Sequence, residues 1–171
     1  TLKITPHRPV RTPRAAGFRE ARFLAARTGW CMLIPMTPLE LRLLIVADDP
    51  LARAGISALV AGQPLVTVAG LSGSGGELDA AVMAFAPDAV IWDLGWDAPG
   101  PIAALSRFCD ENDLPVLALL ANPHAANEVR AAGARALLRR ATDGAQLATA
   151  ATAIGQGLLV FDPELLPSPE L

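Results

Sequence analysis

Short apolar runs alternate with longer segments of helical periodicity from residue 41 onward. Five runs are short and continuously apolar, as is typical of parallel strands whose two faces are both covered. These runs are Leu41–Ala47, Leu65–Ala69, Ala89–Trp92, Val116–Leu120 and Ala136–Leu138. The segments with helical spacing that follow them in turn are Leu51–Ala61, Glu77–Phe85, Ile102–Glu111, Ala125–Ala132 and Ala145–Gly155. The pattern therefore predicts five consecutive strand–helix units.

Five such units, joined by right-handed crossovers, build a parallel sheet with helices on its faces. A length of about 115 residues suits a doubly wound, flavodoxin-like α/β domain and is far too short for a closed eight-stranded barrel. We expect a five-stranded sheet in the order 2-1-3-4-5, in which the switch point lies between strands one and three. In open sheets of this kind, ligands bind at the carboxyl edge beside that point.

Acidic residues end the two strands that flank the predicted switch point. Asp93 ends the third strand, and Asp48 and Asp49 follow the first. Two strand-end carboxylates can hold a hard divalent cation and leave one oxygen free to attack a phosphoryl group. The electrophilic side chains that usually assist are missing, because Lys3 is the only lysine and no serine or threonine lies between residues 106 and 142. The predicted site therefore has acidic residues but lacks the lysine and hydroxyl side chains that usually assist them.

Composition and charge narrow the function classes. Apolar residues make up 52% of the 171 residues and charged residues only 18%, which supports a folded core and excludes disorder for most of the chain. Residues 1–35 carry a net charge of +6, whereas residues 36–171 carry −9, which makes the body a poor nucleic-acid binder. Cys31 and Cys109 lack metal-ligand spacing, and no apolar run reaches the length of a membrane span. We therefore expect a cytoplasmic protein with two free thiols and no membrane contact.

The organisation of the chain follows from these patterns. Residues 1–40 are rich in arginine and proline, and we expect an N-terminal extension that is disordered or not native. Residues 41–157 form the predicted α/β domain. Residues 158–171 combine a short apolar stretch with a proline-rich end, which is typical of the start of a linker.

Several motifs in the right order resemble a known family. The segment Arg42–Gly55 resembles the opening of a receiver domain of the NarL/FixJ (LuxR-type) response regulators. The resemblance continues in Pro87–Leu94, Leu114–Leu120 and Gly133–Arg140 and covers about residues 41–163. It implies a CheY-like fold, a two-component system that controls transcription, a histidine kinase as partner and a homodimer. Any contact with DNA would be made by an effector domain outside this chain.

The resemblance also assigns roles to residues at the predicted crevice. Receivers accept a phosphoryl group on an aspartate from a histidine kinase, with Mg²⁺ bridging the acids and the phosphoryl oxygens. Asp93 matches the phosphoacceptor, and the implied metal ligands are Asp48, Asp93 and the backbone carbonyl of Gly95. Ala47 occupies the position of the family's other acid, so we expect a weakened Mg²⁺ site.

The positions that sense the phosphoryl group depart from the family pattern. Leu120 stands where the family has Thr or Ser, Arg140 where it has Lys, and Leu137 where it has the switch aromatic. An arginine is a planar fork and does not replace the compact ammonium of lysine, although it could pair with Asp93. Trp96, in the loop after Asp93, either shields the site or only packs there.

These departures leave two main hypotheses. We favour an atypical receiver, or pseudo-receiver, that acts through protein–protein interaction or dimerisation. The alternative is a working, Mg²⁺-dependent phosphoacceptor at Asp93. A flavin or nucleotide binder has less support, because the glycine-rich loop Ser72–Gly76 lacks the context of a phosphate-binding loop. We do not expect an enzyme, since no hydrolytic triad or zinc constellation is present in the sequence.

Overall fold

The computed structural model describes residues 40–96 and 99–166, which form alternating strands and helices. The strands are β1 (Leu41–Val46), β2 (Val66–Ser72), β3 (Ala89–Asp93), β4 (Val116–Leu120), β5 (Ala136–Arg139) and β6 (Val160–Phe161). The helices are α1 (Pro50–Val60), α2 (Leu78–Phe85), α3 (Pro99–Glu111), α4 (Ala126–Ala131) and α5 (Gly144–Gly155). Two short 3₁₀ turns, Pro123–Ala125 and Pro163–Leu165, precede α4 and follow β6.

All strands of the sheet are parallel, and their order is β2-β1-β3-β4-β5-β6. The predicted flavodoxin-like fold and the order 2-1-3-4-5 are confirmed. The predicted strand number of five is wrong, because β6 adds a sixth strand beside β5. It is held by the N–H groups of Val160 and Asp162, which donate to the carbonyls of Arg135 (3.1 Å) and Leu137 (2.9 Å). A strand of two residues is too short to produce a recognisable sequence period.

The strands alternate their side chains between two apolar layers, as the pleat of a strand requires. One layer packs against α1 and α5 and is built from residues such as Ile45, Ile91 and Leu119. The other packs against α2, α3 and α4 and includes Val46 and Trp92. Both faces of β1, β3 and β4 are therefore covered, which explains their continuous apolar sequences.

Polar side chains fix the starts of the helices at the carboxyl edge. The carboxylate of Asp49 accepts a hydrogen bond from the N–H of Leu51 (2.9 Å) and caps α1. Asp143 caps α5 in the same way by accepting from the N–H of Gln146 (2.8 Å). These caps stabilise the loops that follow β1 and β5, and these loops border the crevice at the carboxyl edge of the sheet.

Two parts of the predicted domain organisation lie outside the described residues. These are the N-terminal extension, apart from Glu40, and the proline-rich end from residue 167 onward. Residues 158–166, predicted as the start of a linker, contain β6 and a 3₁₀ turn instead. Within residues 40–96 and 99–166, no helix has the length and apolar character that a membrane crossing requires.

Candidate functional site

Asp93 lies at the carboxyl edge of the sheet, where the strand order predicted a site. It is the last residue of β3, between β1 and β4, and its side chain is only 2% exposed. A buried carboxylate in an otherwise apolar sheet is costly unless it is paired or hydrogen-bonded. Its partners therefore decide what the site can do.

Arg140 supplies the charge that compensates Asp93. One guanidinium nitrogen, Nη2, lies 2.9 Å from Oδ2 of Asp93, and the side chain of Arg140 is 22% exposed. The backbone of Arg140 is fixed beside the site, because its N–H donates to the carbonyl of Leu120 (2.8 Å). The contact between Arg140 and Asp93 that the sequence analysis considered is thus present in the structure.

The backbone of Gly95 makes the second contact with this carboxylate. Its N–H donates to Oδ1 of Asp93 over 3.4 Å, which is a weak hydrogen bond. Gly95 has a φ of +69°, a left-handed conformation that suits glycine and turns the chain back over Asp93. Both carboxylate oxygens therefore face donors of this chain.

Burial dominates the electrostatics of Asp93. Loss of solvent raises the pKa of Asp93 above its ordinary value, and the Coulomb attraction and hydrogen bond of Arg140 only partly oppose this effect. The negative charge of Asp49 adds to the increase. Among the groups around Asp93, Arg140 has the largest effect in favour of the ionised carboxylate.

Trp96 covers the outer side of the guanidinium. The Cζ atom of Arg140 lies 5.0 Å from the centroid of the Trp96 ring, within the range of a cation–π interaction. The tryptophan is itself 76% exposed, so it forms the surface of the site. Of the two sequence interpretations, shielding fits this position better than packing into the core.

Asp48 turns towards β2 instead of towards Asp93. Its Oδ1 accepts from the N–H of Ser74 (2.8 Å) and its Oδ2 from the hydroxyl of the same serine (2.9 Å). Ser74 was not singled out from the sequence, where its glycine-rich loop was weighed only as a phosphate-binding loop. The signal was available in the strand order, because the loop after β2 must lie beside the loop after β1.

The carboxylates near the predicted Mg²⁺ site are thus engaged with other groups. Asp93 faces Arg140 and Gly95, Asp48 faces Ser74, and Asp49 caps α1. Within the described residues, no group of three or more acidic, histidine or cysteine side chains is arranged to hold a metal. Magnesium needs several free oxygen ligands, so the residues do not fit this ion in the arrangement present.

Comparisons with known proteins identify the domain. No family model matches the chain. Over 120 residues it is 28% identical to transcriptional regulatory protein LiaR of Bacillus subtilis (strain 168), covering 68% of this chain and 57% of that protein. A two-component response regulator of the LuxR family from Aurantimonas sp. SI85-9A1 superposes with a TM-score of 0.64 and 26% identity, covering 74% of this chain and 92% of that one. The chain is similar to response-regulator receiver domains in sequence and in fold.

Two further proteins are similar to the chain over very different shares of their own length. The signal receiver domain of NarL from Mycobacterium tuberculosis superposes with a TM-score of 0.60 at 22% identity, covering 70% of this chain and 99% of that one. Over 116 residues the chain is 31% identical to protein-glutamate methylesterase/protein-glutamine glutaminase 2 of Anaeromyxobacter dehalogenans (strain 2CP-C), covering 68% of this chain and 33% of that protein. The chain thus spans about a third and just over half of the two curated relatives.

The two leucines that the sequence predicts at switch positions are buried. Leu120 is 2% exposed and Leu137 is 1% exposed, and both pack in the layer that faces α2, α3 and α4. Leu120 also lines a depression of about 10 Å³ beside Gly95 and Trp96, which holds a single water at most. The crevice therefore presents an apolar wall at the position where a hydroxyl would be needed to bind a phosphoryl oxygen.

Proposed function

We propose that this receiver is an atypical signal-input domain whose output does not depend on an aspartyl phosphate. The observation that carries the proposal is the ion pair between Arg140 and the buried Asp93. In this arrangement a cation of the chain itself neutralises the carboxylate that a divalent ion and a phosphoryl group would otherwise approach. The domain would then act by binding other proteins or by dimerisation.

The pair opposes phosphorylation through both charge and access. An attacking carboxylate needs an ionised and unobstructed oxygen, yet Oδ2 of Asp93 accepts from Arg140 and Oδ1 faces the N–H of Gly95. A magnesium ion that bound Oδ2 of Asp93 would compete with the guanidinium for this oxygen, and the two positive charges would repel each other. Displacement would also separate a buried pair, which is costly in a region of low dielectric.

The wall of the crevice opposes the product as well. A phosphoryl group on Asp93 would carry up to two negative charges beside the buried side chain of Leu120. That side chain offers no hydrogen bond, so the oxygens nearest to it would lose water without compensation. Leu137 is buried and carries no polar group, so it could not form a new hydrogen bond in response to phosphorylation.

The wider role is proposed on the resemblance to transcription regulators. We place the receiver in the cytoplasm, in a homodimer whose DNA contacts are made by an effector domain outside the described residues. The described body is a poor candidate for direct DNA binding, because residues 36–171 carry a net charge of −9. A histidine kinase remains a partner in the alternative function described next.

A phosphoacceptor function is the second candidate, and the position of Asp93 favours it. The residue ends β3 at the switch point of the sheet, and the carboxylate of Asp49 is near enough to affect its pKa. If Arg140 swings into solvent, Asp93 and a neighbouring acid could share a magnesium ion. The two functions differ in whether Arg140 leaves Asp93 in the presence of Mg²⁺ and a phosphodonor.

Intact mass spectrometry after incubation with acetyl phosphate and Mg²⁺ separates these functions. We expect no adduct on the wild type, and we expect no saturable Mg²⁺ binding by calorimetry. The double variant Leu120→Thr/Arg140→Lys restores the family's residues at two positions and serves as the positive control, with an adduct of one phosphoryl group. An adduct on the wild type that Asp93→Asn abolishes would overturn the proposal in favour of the phosphoacceptor.

A further inference from the structure

An exposed indole forms the outer surface of the Asp93 site. Trp96 is 76% exposed, whereas Trp92, four residues earlier, is 1% exposed and packs edge-on against Phe108. A large aromatic side chain on the surface needs a partner to hold one orientation. The guanidinium of Arg140 is that partner, with its Cζ atom 5.0 Å from the ring centroid.

Arg140 in turn needs support to stay on Asp93. Only one of its nitrogens, Nη2, donates to the carboxylate, and its side chain is 22% exposed. Its backbone is fixed by the hydrogen bond to Leu120, but the long side chain has many rotamers that would point into water. A flat ring against the guanidinium removes those rotamers and lowers the local dielectric, which strengthens the attraction to Asp93.

We propose that Trp96 is a positioning residue that keeps the Arg140 guanidinium on Asp93. The proposal deepens the function proposed above and rests on it, because it names the residue that maintains the paired state. It has one consequence for signalling. Any event that pulls Arg140 away from Asp93 must also separate it from the indole, so the state of the buried carboxylate is coupled to an exposed surface. Leu137 cannot provide this coupling, since it is buried and apolar.

The pKa of Asp93 distinguishes positioning from simple coverage, because the two roles predict opposite signs. Arg140 lowers the pKa of Asp93, so a Trp96→Ala variant that releases Arg140 raises it. If Trp96 only shielded the carboxylate from water, the same substitution would expose Asp93 and lower its pKa. The side-chain carboxyl signal of Asp93, followed by ¹³C NMR through a pH titration, measures this value directly.

We expect Trp96→Ala to raise the pKa of Asp93, because the guanidinium that lowers it is no longer held in place. Trp96→Phe retains a ring and gives a smaller increase. In the Arg140→Ala background, Trp96→Ala produces no further increase, because there is no guanidinium to position. Met83→Ala, which removes an 84% exposed apolar side chain from α2, is the matched control and leaves the pKa unchanged.

Three results would overturn the inference. They are an unchanged pKa in Trp96→Ala, a lowered one, or an equal increase in the Arg140→Ala background. Amide spectra of each variant show whether it is folded, and Trp96→Phe keeps the test valid if the alanine variant is not. The failure of the proposed function is a separate outcome, because it is a phosphoryl adduct on the wild type and does not alter the cycle of pKa values.

Discussion

Arg139 and Arg140 are consecutive residues, yet they form ion pairs in two regions that differ in burial. Arg139 is the last residue of β5, and its side chain reaches past the end of β6, where its Nε atom is 2.8 Å from Oδ2 of Asp162 and its Nη1 atom contacts Glu164. Its side chain is 47% exposed. Arg140 reaches into the crevice and pairs with Asp93, which is 2% exposed. The difference arises because successive side chains at the end of a strand point to opposite sides.

The comparison teaches that the surroundings of an ion pair, more than its distance, determine its consequences. The Arg139–Asp162 contact of 2.8 Å and the Arg140–Asp93 contact of 2.9 Å hardly differ in length. The hydrogen bond to Asp162 raises the pKa of Arg139, and water and salt screen the remaining attraction. Asp93 instead has a raised pKa despite its partner, because burial outweighs the arginine. One pair lies on the exposed surface, whereas the other compensates a buried carboxylate.

The two regions should differ most in the free energy of unfolding that is lost when each arginine is replaced by alanine. Arg140→Ala leaves the buried Asp93 without a counter-charge and should lower the free energy of unfolding by about 3 kcal/mol at neutral pH. Urea denaturation measures the change, with Arg139→Ala as the matched control that loses an exposed arginine one residue away. The loss in Arg140→Ala should shrink in acid, where Asp93 takes up a proton. Equal losses in the two variants would contradict the difference between the regions.

The pH dependence of stability should separate the two carboxylates next. Because the folded state raises the pKa of Asp93 above its ordinary value of 3.8, the folded state binds this proton more tightly than the unfolded chain. That contribution to stability is complete below the ordinary value and is lost as the pH rises through the folded pKa. Asp93→Asn cannot ionise, so its free energy of unfolding should improve relative to the wild type as the pH increases through this window.

Asp162 should show the opposite slope. Burial alone would raise its pKa, but the hydrogen bond from Arg139 and two backbone N–H groups outweigh burial and lower it. The stability that Asp162 contributes is therefore present above the ordinary Asp value and is lost as the pH falls through the folded pKa. Asp162→Asn, compared with Asp93→Asn over the same titration, checks this sign. Slopes of the same sign in both variants would contradict the assignment.

A lysine exchange at each arginine tests how far geometry matters within the pairs. Arg140→Lys keeps the charge but loses the planar group that lies over Trp96, so we expect a loss of about 1 kcal/mol in the free energy of unfolding. Arg139→Lys should leave stability unchanged, because an exposed pair tolerates a different cation. Thermal and urea unfolding of both variants provide the measurement, and a larger loss in Arg139→Lys would refute the prediction.

The sequence predicted the sheet and the acids at its edge because both depend on local patterns. Continuous apolar runs separated by helical segments define the order of the strands, and that order brings the end of β3 to the switch point. It did not predict β6, which has two residues, or the hydrogen bonds between Asp48 and Ser74. Side-chain direction at a strand end depends on which neighbouring loop offers donors. This direction is set by contacts between different elements, so the periodicity of a single strand or helix does not predict it.

The smallest expected effect concerns the ion pair between Arg139 and Asp162, which lies at the end of β6. Arg139→Ala should hardly change global stability, since solvent screens its exposed contacts, but it should loosen β6 locally. The N–H of Asp162, which donates to the carbonyl of Leu137 over 2.9 Å, would then exchange faster with deuterium than in the wild type. Raised salt should reproduce part of this acceleration in the wild type and add little in the variant. The amide of Leu94, bonded to Leu119 beside Asp93, is the internal control and should exchange at the same rate in both proteins. Faster exchange at both amides would mean that Arg139 stabilises the whole carboxyl edge of the sheet. The regions around Arg139 and Arg140 would then not be energetically independent.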